Sequence, residues 1–472
     1  MAYGGYSYID FEYEPKVDDF IALLWVKGKF NIEKLAEAIA SESSVGTWTK
    51  IKTMNSRVFS HYRARVFKIV KVTETSGFVY IAYPYEHFDS KNVIQFMASV
   101  LGNLFGLKEL EELYVLDISF PIKWQKLFNG PSAGIDGIRV YMKTNRNKRP
   151  HVGTIVKPKV GLTPKEFASV AYDAWSGGLD LVKDDENLVD QDFCRWKERF
   201  DETFSKLDKA EKETGERKLY VTNITDISIE RMVKRLEYIK DAGGKIAMID
   251  VFVLGLPAVK YIVDLASKYH IFIHAHRAGY AEAHRGNFGI NFGVYEKLYR
   301  LVGVDQLHIG TGVGKMEGSP LLIKRYHDIA ENRMGKEKFY LGFLGFKFAS
   351  HIKPMFSIAS GGMDPGRVDA AVALHGNNVI IQAGGGVHGH PKGTKAGAKA
   401  LRAAVDAIVE GISAKEYAKK VPELDIALKY FGYIDPSEIR KHFLFEKENK
   451  ELLTSMVMDR GMDAIRTIWS TF

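Results

Sequence analysis

Three carboxylates follow one amine in Lys183-Asp184-Asp185-Glu186-Asn187, a density of charge that could do chemistry if the fold collects it. The preceding Leu179-Asp180-Leu181-Val182 is short, apolar and partly β-branched, as a buried strand is. In strand register Lys183 and Asp185 share a face and Asp184 takes the other; Glu186 joins the first two only where the chain leaves the strand. Two carboxylates and a lysine at a strand mouth can hold a divalent cation, because hard ions such as Mg2+ take oxygen ligands in near-octahedral geometry. The same letters also spell a solvated acidic loop. Other elements must bring matching groups to the same mouth to separate the two readings.

Several runs offer such groups. Lys157-Pro158-Lys159 sets an acid/base candidate at 157, its backbone restricted by the following proline, though two surface lysines would read the same. In His274-Ala275-His276-Arg277, His276 can handle a proton and Arg277 can fork onto phosphate. The alternatives are a zinc pair at 274 and 276, or a structural His274 satisfied inside the protein. His308-Ile309-Gly310-Thr311-Gly312-Val313-Gly314-Lys315-Met316-Glu317 looks like a nucleotide loop but lacks GxxxxGK[ST] spacing, and Met316 replaces the needed hydroxyl. A glycine-rich loop bearing Lys315 can instead close over substrate, or simply be a flexible surface loop. Ser360-Gly361-Gly362 and Gly384-Gly385-Gly386 let backbone N–H groups approach an anion, although glycine pairs also make ordinary turns. With Arg277 and His308 opposite, the pattern suits a ligand phosphorylated at both ends.

These runs follow apolar strand candidates at 151–156, 179–183, 218–223, 246–252, 271–274, 306–309, 355–359 and 378–382, which alternate with amphipathic helices. Eight such units predict an α/β fold with a C-terminal (β/α)8 TIM barrel, whose chemistry gathers beyond the C-terminal strand ends. Residues 1–130 read as an N-terminal α+β domain, with strands at 8–13, 63–74, 77–84 and 117–123 and helices at 31–39 and 92–102. Turn-rich Phe128-Asn129-Gly130-Pro131-Ser132 marks the boundary, the barrel takes 131–440, and 441–472 forms a helical C-terminal extension.

The 472 residues are 46% hydrophobic and 26% charged, as in a soluble globular protein. The net charge of +8 is spread along the chain and suits an anionic small substrate. No basic tail, zinc-finger spacing or RNA-binding box argues for nucleic acid. The opening residues lack a secretory signal and no apolar run spans a bilayer, so no membrane role and a cytoplasmic location are expected. The single Cys194 excludes an internal disulfide and reads as a packed small residue.

Taken in order, Glu42-Ser43-Ser44-Val45-Gly46-Thr47-Trp48-Thr49, Gly102-Asn103, Lys157-Pro158-Lys159, Gly178-Leu179-Asp180, Lys183-Asp184-Asp185-Glu186, His276-Arg277-Ala278, Gly314-Lys315-Met316-Glu317, Ser360-Gly361-Gly362 and the glycines from 384 resemble the large chain of ribulose-1,5-bisphosphate carboxylase/oxygenase (RuBisCO) over nearly the whole length. The style is that of the microbial form II, III and intermediate II/III enzymes. The resemblance implies that Lys183 takes up an activating CO2 as a carbamate (N6-carboxylysine), which with Asp185 and Glu186 binds Mg2+ and removes the C3 proton of ribulose 1,5-bisphosphate. CO2 then adds at C2, hydration and cleavage yield two 3-phosphoglycerates, and O2 competes for the same enediolate.

By the same resemblance Lys157 is the acid/base near C2, Lys315 stabilises the new carboxylate, and His276 assists proton handling. Glu42 pairs with Lys315. Thr47, Trp48, Gly384 and Gly385 hold one phosphate, Arg277 and His308 the other, while Lys159, Asn103, Ser360 and Gly361 contact the substrate or the metal side. Residues from the N-terminal domain enter the neighbouring subunit's barrel, so a homodimer is the minimum assembly, with further association of dimers open and no small chain expected. Tyr280 stands where many members have histidine, and Ile155 where the plant type has threonine. A RuBisCO-like enolase or isomerase and a noncatalytic bisphosphate-binding protein are the competing readings.

Overall fold

The computed structural model describes residues 5–89 and 92–472; Met1 to Gly4, where the expected absence of a signal was partly read, and residues 90 and 91 lie outside the described residues. Its strands, in chain order, are β1 (Phe20–Gly28), β2 (Arg65–Thr73), β3 (Ser76–Tyr83), β4 (Leu110–Ser119), β5 (His151–Ile155), β6 (Leu181–Lys183), β7 (Leu219–Asn223), β8 (Ile246–Asp250), β9 (Phe272–His276), β10 (Phe288–Ile290), β11 (Gln306–His308), β12 (Met334–Gly335), β13 (Phe346–Lys347), β14 (Phe356–Ser360) and β15 (Val379–Gln382). Eight of them close a parallel barrel in the order β11-β14-β15-β5-β6-β7-β8-β9. Helices at Pro164–Ser176, Trp196–Thr214, Ile229–Asp241, Leu256–Lys268, Phe292–Val302, Pro320–Glu331, Val368–His375 and Thr394–Glu410 pack around it. Among the described residues no helix is long and apolar enough to cross a membrane.

The barrel interior is filled at its lower end. Leu181, Leu219, Val221, Ile246, Met248, Phe272, Phe356, Ile358 and Ile380 form one buried cluster. Ile135, Ile138 and Met142, on or just beyond the helix Gly134–Tyr141, plug it from below. Side chains cannot be both plug and ligand site, so polar function is left to the upper, C-terminal mouth. Below, Asp180 is buried and takes both Arg149 guanidinium nitrogens at 2.6 and 2.7 Å and the Val152 N–H at 2.8 Å. Burial works against the Asp180 carboxylate, but Arg149 outweighs it and holds its pKa far below the usual range. Asp180→Ala strands a buried guanidinium and should cost about 3–5 kcal/mol in denaturant unfolding. The wild-type contribution is present above the ~3.9 of an unfolded aspartate and is lost as pH falls below it.

The N-terminal sheet has the order β10-β4-β1-β3-β2. Its middle strand, β1, was not among the strands expected from the sequence. FIALLWVKG is nearly continuously apolar, because a central strand covered on both faces loses the alternation that marks a half-exposed one. Three expectations are corrected. The stretch 8–13 is no strand: only Ile9 bridges to Val66, and the Tyr13 N–H turns back to the Asp10 carbonyl. The strand expected at 117–123 lies earlier, at β4, and ends before Pro121, which opens a short helix, Ile122–Gln125. The chain after Asp250 turns into the helix Val251–Leu254 instead of continuing as strand to 252.

Candidate active site

A cavity of about 750 Å3 opens at the C-terminal ends of the barrel strands. It is lined by Lys157, Lys183, Asp185, Glu186, His276, Arg277, His308, Lys315, Ser360, Gly361, Gly384 and Gly385, drawn from loops far apart in sequence. A cleft of about 680 Å3 elsewhere, lined by residues such as Met97, Phe105, Leu256 and Phe288, carries no carboxylate, imidazole, amine or guanidinium. Volume alone does not distinguish the two; the chemistry of the lining does.

Strand β6 ends at Lys183 and divides its neighbours as the alternation requires. Asp184 goes outward into a buried socket, accepting from Arg199 at 3.1 and 3.3 Å, Tyr220 at 2.7 Å, Thr222 at 3.0 Å and the Asn223 N–H at 2.8 Å. Lys183 and Asp185 turn inward, and Glu186 joins them as the chain leaves the strand. The Lys183 amine is buried, donating to the Asp184 carbonyl at 2.7 Å and lying 3.3 Å from Met248 Sδ. Its nearest carboxylate is Glu186, at 3.7 Å. Burial lowers its pKa against the pull of Glu186, Asp185 and Asp250 in the other direction. The site thus holds a lysine biased toward its nucleophilic, neutral form.

Lys157 donates to Asp185 Oδ2 at 2.6 Å, while Asp185 Oδ1 accepts from the Asn187 backbone and side chain. Burial raises the Asp185 pKa, and the hydrogen bonds from Lys157 and Asn187 more than reverse it. Glu186 is likewise pushed up by burial and pulled lower overall by His276 and Lys183. Both carboxylates are therefore ionised and ready to be ligands. Among the described residues no three His, Cys, Asp or Glu side chains converge as a metal cage. Asp185 and Glu186 fit a hard divalent ion as two oxygen donors, and the Lys183 amine in the same cavity would be a third donor once it carries a carboxylate.

Strand β9 runs to His276, two residues beyond its expected end, so both histidines lie on the strand. His274 is fully buried, with Nδ1 2.9 Å from Gln306 Oε1 and Nε2 2.9 Å from His308 Nε2. Both its nitrogens are occupied within the barrel, which leaves the structural reading and removes the zinc pair. His276 Nδ1 lies 3.1 Å from Asp250 Oδ1 and 3.2 Å from the Ala278 N–H. The carboxylate serves a protonated Nδ1 and the amide a bare one, so the ring is supported in either state. Nε2 sits 3.5 Å from Glu186. Asp250 was missed by sequence reasoning, although its place at the end of β8 marks it. Arg277 stacks over Phe292 at 4.4 Å and faces the cavity together with His308.

The Lys315 loop lies across the mouth. Its Lys315 N–H donates to the Gly361 carbonyl at 3.1 Å, Thr311 Oγ1 takes the Gly314 N–H at 2.7 Å, and Arg285 pairs with Glu317 at 2.9 Å. The side chain of Lys315 is exposed. Gly362 adopts φ +85°, and a Cβ there would lie 2.6 Å from the Lys315 nitrogen. Gly362→Ala should thus cut kcat/KM by about 10-fold or more while moving the melting temperature by only a few degrees, because the clash falls on the loop and not on the barrel. An unchanged kcat/KM would show that this contact does not hold the loop.

Arg466, Trp469 and Ser470, on the helix Met462–Thr471, also line the cavity. The Trp469 carbonyl receives the Ser319 N–H at 2.6 Å, at the root of the Lys315 loop, and the Trp469 ring stacks on His284. Nothing local in the sequence marks these contacts. Tyr280 is buried, stacks on His284 and donates to the Ile290 carbonyl at 2.9 Å. Glu42, Thr47, Trp48, Asn103 and Lys159 do not line this cavity. Trp48 is 75% exposed, and Asn103 and Lys159 are exposed as well.

A closed barrel whose upper rim gathers a buried lysine, two ionised carboxylates, a loop lysine, an arginine and two glycine turns has the architecture of a (β/α)8 enzyme. The ribulose bisphosphate carboxylase large chain family models match residues 7–124 (N-terminal domain) and 135–431 (catalytic domain). The chain belongs to this family.

A ribulose bisphosphate carboxylase of Methanocaldococcus jannaschii is 46% identical over 90% of this chain and all of that one, and one of Archaeoglobus fulgidus is 40% identical over 91% and 98%. Among solved structures, a dimeric archaeal Rubisco of Hyperthermus butylicus superposes with a TM-score of 0.84 at 39% identity, covering 90% of this chain and 99% of that one. An octameric enzyme from Pyrococcus horikoshii gives 0.82 at 39%, covering 90% and 96%.

Proposed function

We propose that this chain is a ribulose 1,5-bisphosphate carboxylase/oxygenase, and the observation that carries the reading is the buried Lys183 amine that shares the barrel mouth with Asp185 and Glu186. Once the ammonium has given up one proton, the neutral amine there can attack CO2, forming an N–C bond as one C=O π bond opens onto oxygen and releasing a second proton, so a cation becomes an anionic oxygen donor. Carboxylated Lys183, Asp185 and Glu186 would hold Mg2+. When bound, that ion supplies the positive charge that stabilises the oxyanion developing on the sugar. Carboxylated Lys183 is the base for the C3 proton.

Lys157, hydrogen-bonded to Asp185, is the acid/base near C2 and the final protonating group. CO2 adds at C2, where Lys315 meets the new carboxylate from the closing loop. His276, backed by Asp250, assists hydration at C3, and cleavage of C2–C3 with protonation gives two 3-phosphoglycerates. Arg277 and His308 hold one phosphate, and Gly384 and Gly385 the other, with Ser360, Gly361 and Lys159 on the substrate side. O2 attacking the same carbon gives the oxygenase reaction.

Glu42, Thr47, Trp48 and Asn103 serve the neighbouring subunit's site in this reading, consistent with their absence from their own chain's cavity. Residues 1–130, 131–440 and 441–472 are the corresponding functional units, and a homodimer is the smallest active assembly. Incubation with labelled CO2, ribulose 1,5-bisphosphate and Mg2+ tests the reading: labelled 3-phosphoglycerate supports it. Enolised or isomerised sugar without label would make the protein an enolase, and unchanged sugar a binding protein.

A further inference from the structure

The mechanism leaves unused one histidine at the seam where the barrel closes. His388 ends the single turn Gly385–His388 that follows the glycines of the cavity. Its Nε2 lies 2.9 Å from Thr154 Oγ1 and 3.1 Å from the Ile155 carbonyl, both on β5; its Nδ1 lies 3.0 Å from Thr394 Oγ1. Thr154 in turn donates to the Ala383 carbonyl at 2.7 Å, the residue just before Gly384. That bond uses the only Thr154 proton, so Nε2 must be the donor toward β5 and Nδ1 the acceptor from Thr394. Burial keeps the ring neutral, lowering its pKa to about 4 with help from Lys157. The ring therefore has one tautomer and one orientation.

What this ring joins gives it a role. Ile155 stands two residues before Lys157, and Ala383 one residue before Gly384. A Cβ on Gly384 would lie 3.2 Å from Lys157 Cε, so the amine stem passes directly over the glycine backbone. Gly385 faces open space. Any slip between β5 and β15 at this point would shift Lys157 against the glycines.

We infer that His388 is a positioning residue, which through Thr154, Ile155 and Thr394 fixes the spacing between Lys157 and the phosphate-holding glycines Gly384 and Gly385. It touches no reacting atom. The inference rests on the reading above for the identity of the substrate but not for the binding of phosphate.

Three variants test it: His388→Leu, which keeps bulk but not hydrogen bonds, His388→Gln, which can keep a donor near the Nε2 position, and Thr394→Val, which removes only the Nδ1 partner. The readouts are kcat and KM for ribulose bisphosphate, and the shift in melting temperature caused by inorganic phosphate. His388→Leu is expected to raise KM by about 10-fold with kcat changed less than about 3-fold, and to lose most of the phosphate-induced shift. His388→Gln should recover most of both, and Thr394→Val should fall between.

A purely structural histidine would lower the melting temperature while leaving KM and the phosphate shift in place, which overturns the inference. If His388→Leu does not fold, Thr394→Val decides on the same readouts: wild-type KM and phosphate shift overturn it, and a raised KM with a smaller shift supports it. A wild-type protein that makes no product defeats the proposed function alone, and the phosphate shift then decides this inference by itself.

Discussion

Replacing Lys183 with alanine is expected to lower carboxylation by on the order of 10^4-fold and to abolish any slow rise in activity during preincubation with CO2 and Mg2+. Among the described residues no third carboxylate, imidazole or thiolate joins Asp185 and Glu186 in a metal cage, so the buried amine has to supply the further oxygen donor by taking up CO2. The direction of its pKa shift adds a second measurement. Uptake of CO2 needs the neutral amine, so activation should quicken as pH rises and level off above the amine's pKa. Burial places that plateau below the ~10.4 of an ordinary lysine. Chelating the divalent ion should reverse the activated state. Full turnover by the alanine variant, or mass spectrometry showing an unmodified Lys183 in the activated enzyme, would remove the assignment.

Lys315→Ala is expected to cost about 10^2–10^3-fold in carboxylation while leaving exchange of the C3 proton with solvent measurable. The two halves of the chemistry sit on different elements: proton removal on the rigid end of β6, and stabilisation of the incoming carboxylate on the loop anchored by Gly361 and by Arg285–Glu317. Loss of the loop amine therefore uncouples them. Equal loss of exchange and carboxylation would place Lys315 in the first step instead. Intact carboxylation would deny it any role.

The barrel was legible because its strands are short buried runs alternating with amphipathic helices, most of them closely followed by polar or glycine-rich letters. The inward pair Lys183 and Asp185 and the outward Asp184 followed from alternation alone. β1 was not legible: a strand covered on both faces carries no period to read. Nor did 8–13 behave as its alternation suggested, since only Ile9 finds a partner strand. The site was legible wherever a residue follows its own strand. Asp250 closes its own strand and was open to the same reading, though it was missed; His388 and Trp469 were not legible, because their roles come from contacts across the barrel seam or from a helix some 150 residues beyond the loop it supports.

Strand β10 leaves the barrel after the Arg277 loop and pairs in parallel with β4, Phe288 to Leu113 through Ile290 to Val115. Nearby, the buried Lys297 amine reaches Asp117 at the end of that same strand, at 2.6 Å. Sharing a strand makes the two halves one cooperative object, since parting them would bare a ladder of main-chain groups and a buried charge at the same moment. Calorimetry of the whole chain should accordingly show a single melting transition, and a barrel expressed without its first 130 residues should aggregate through the orphaned β10 edge.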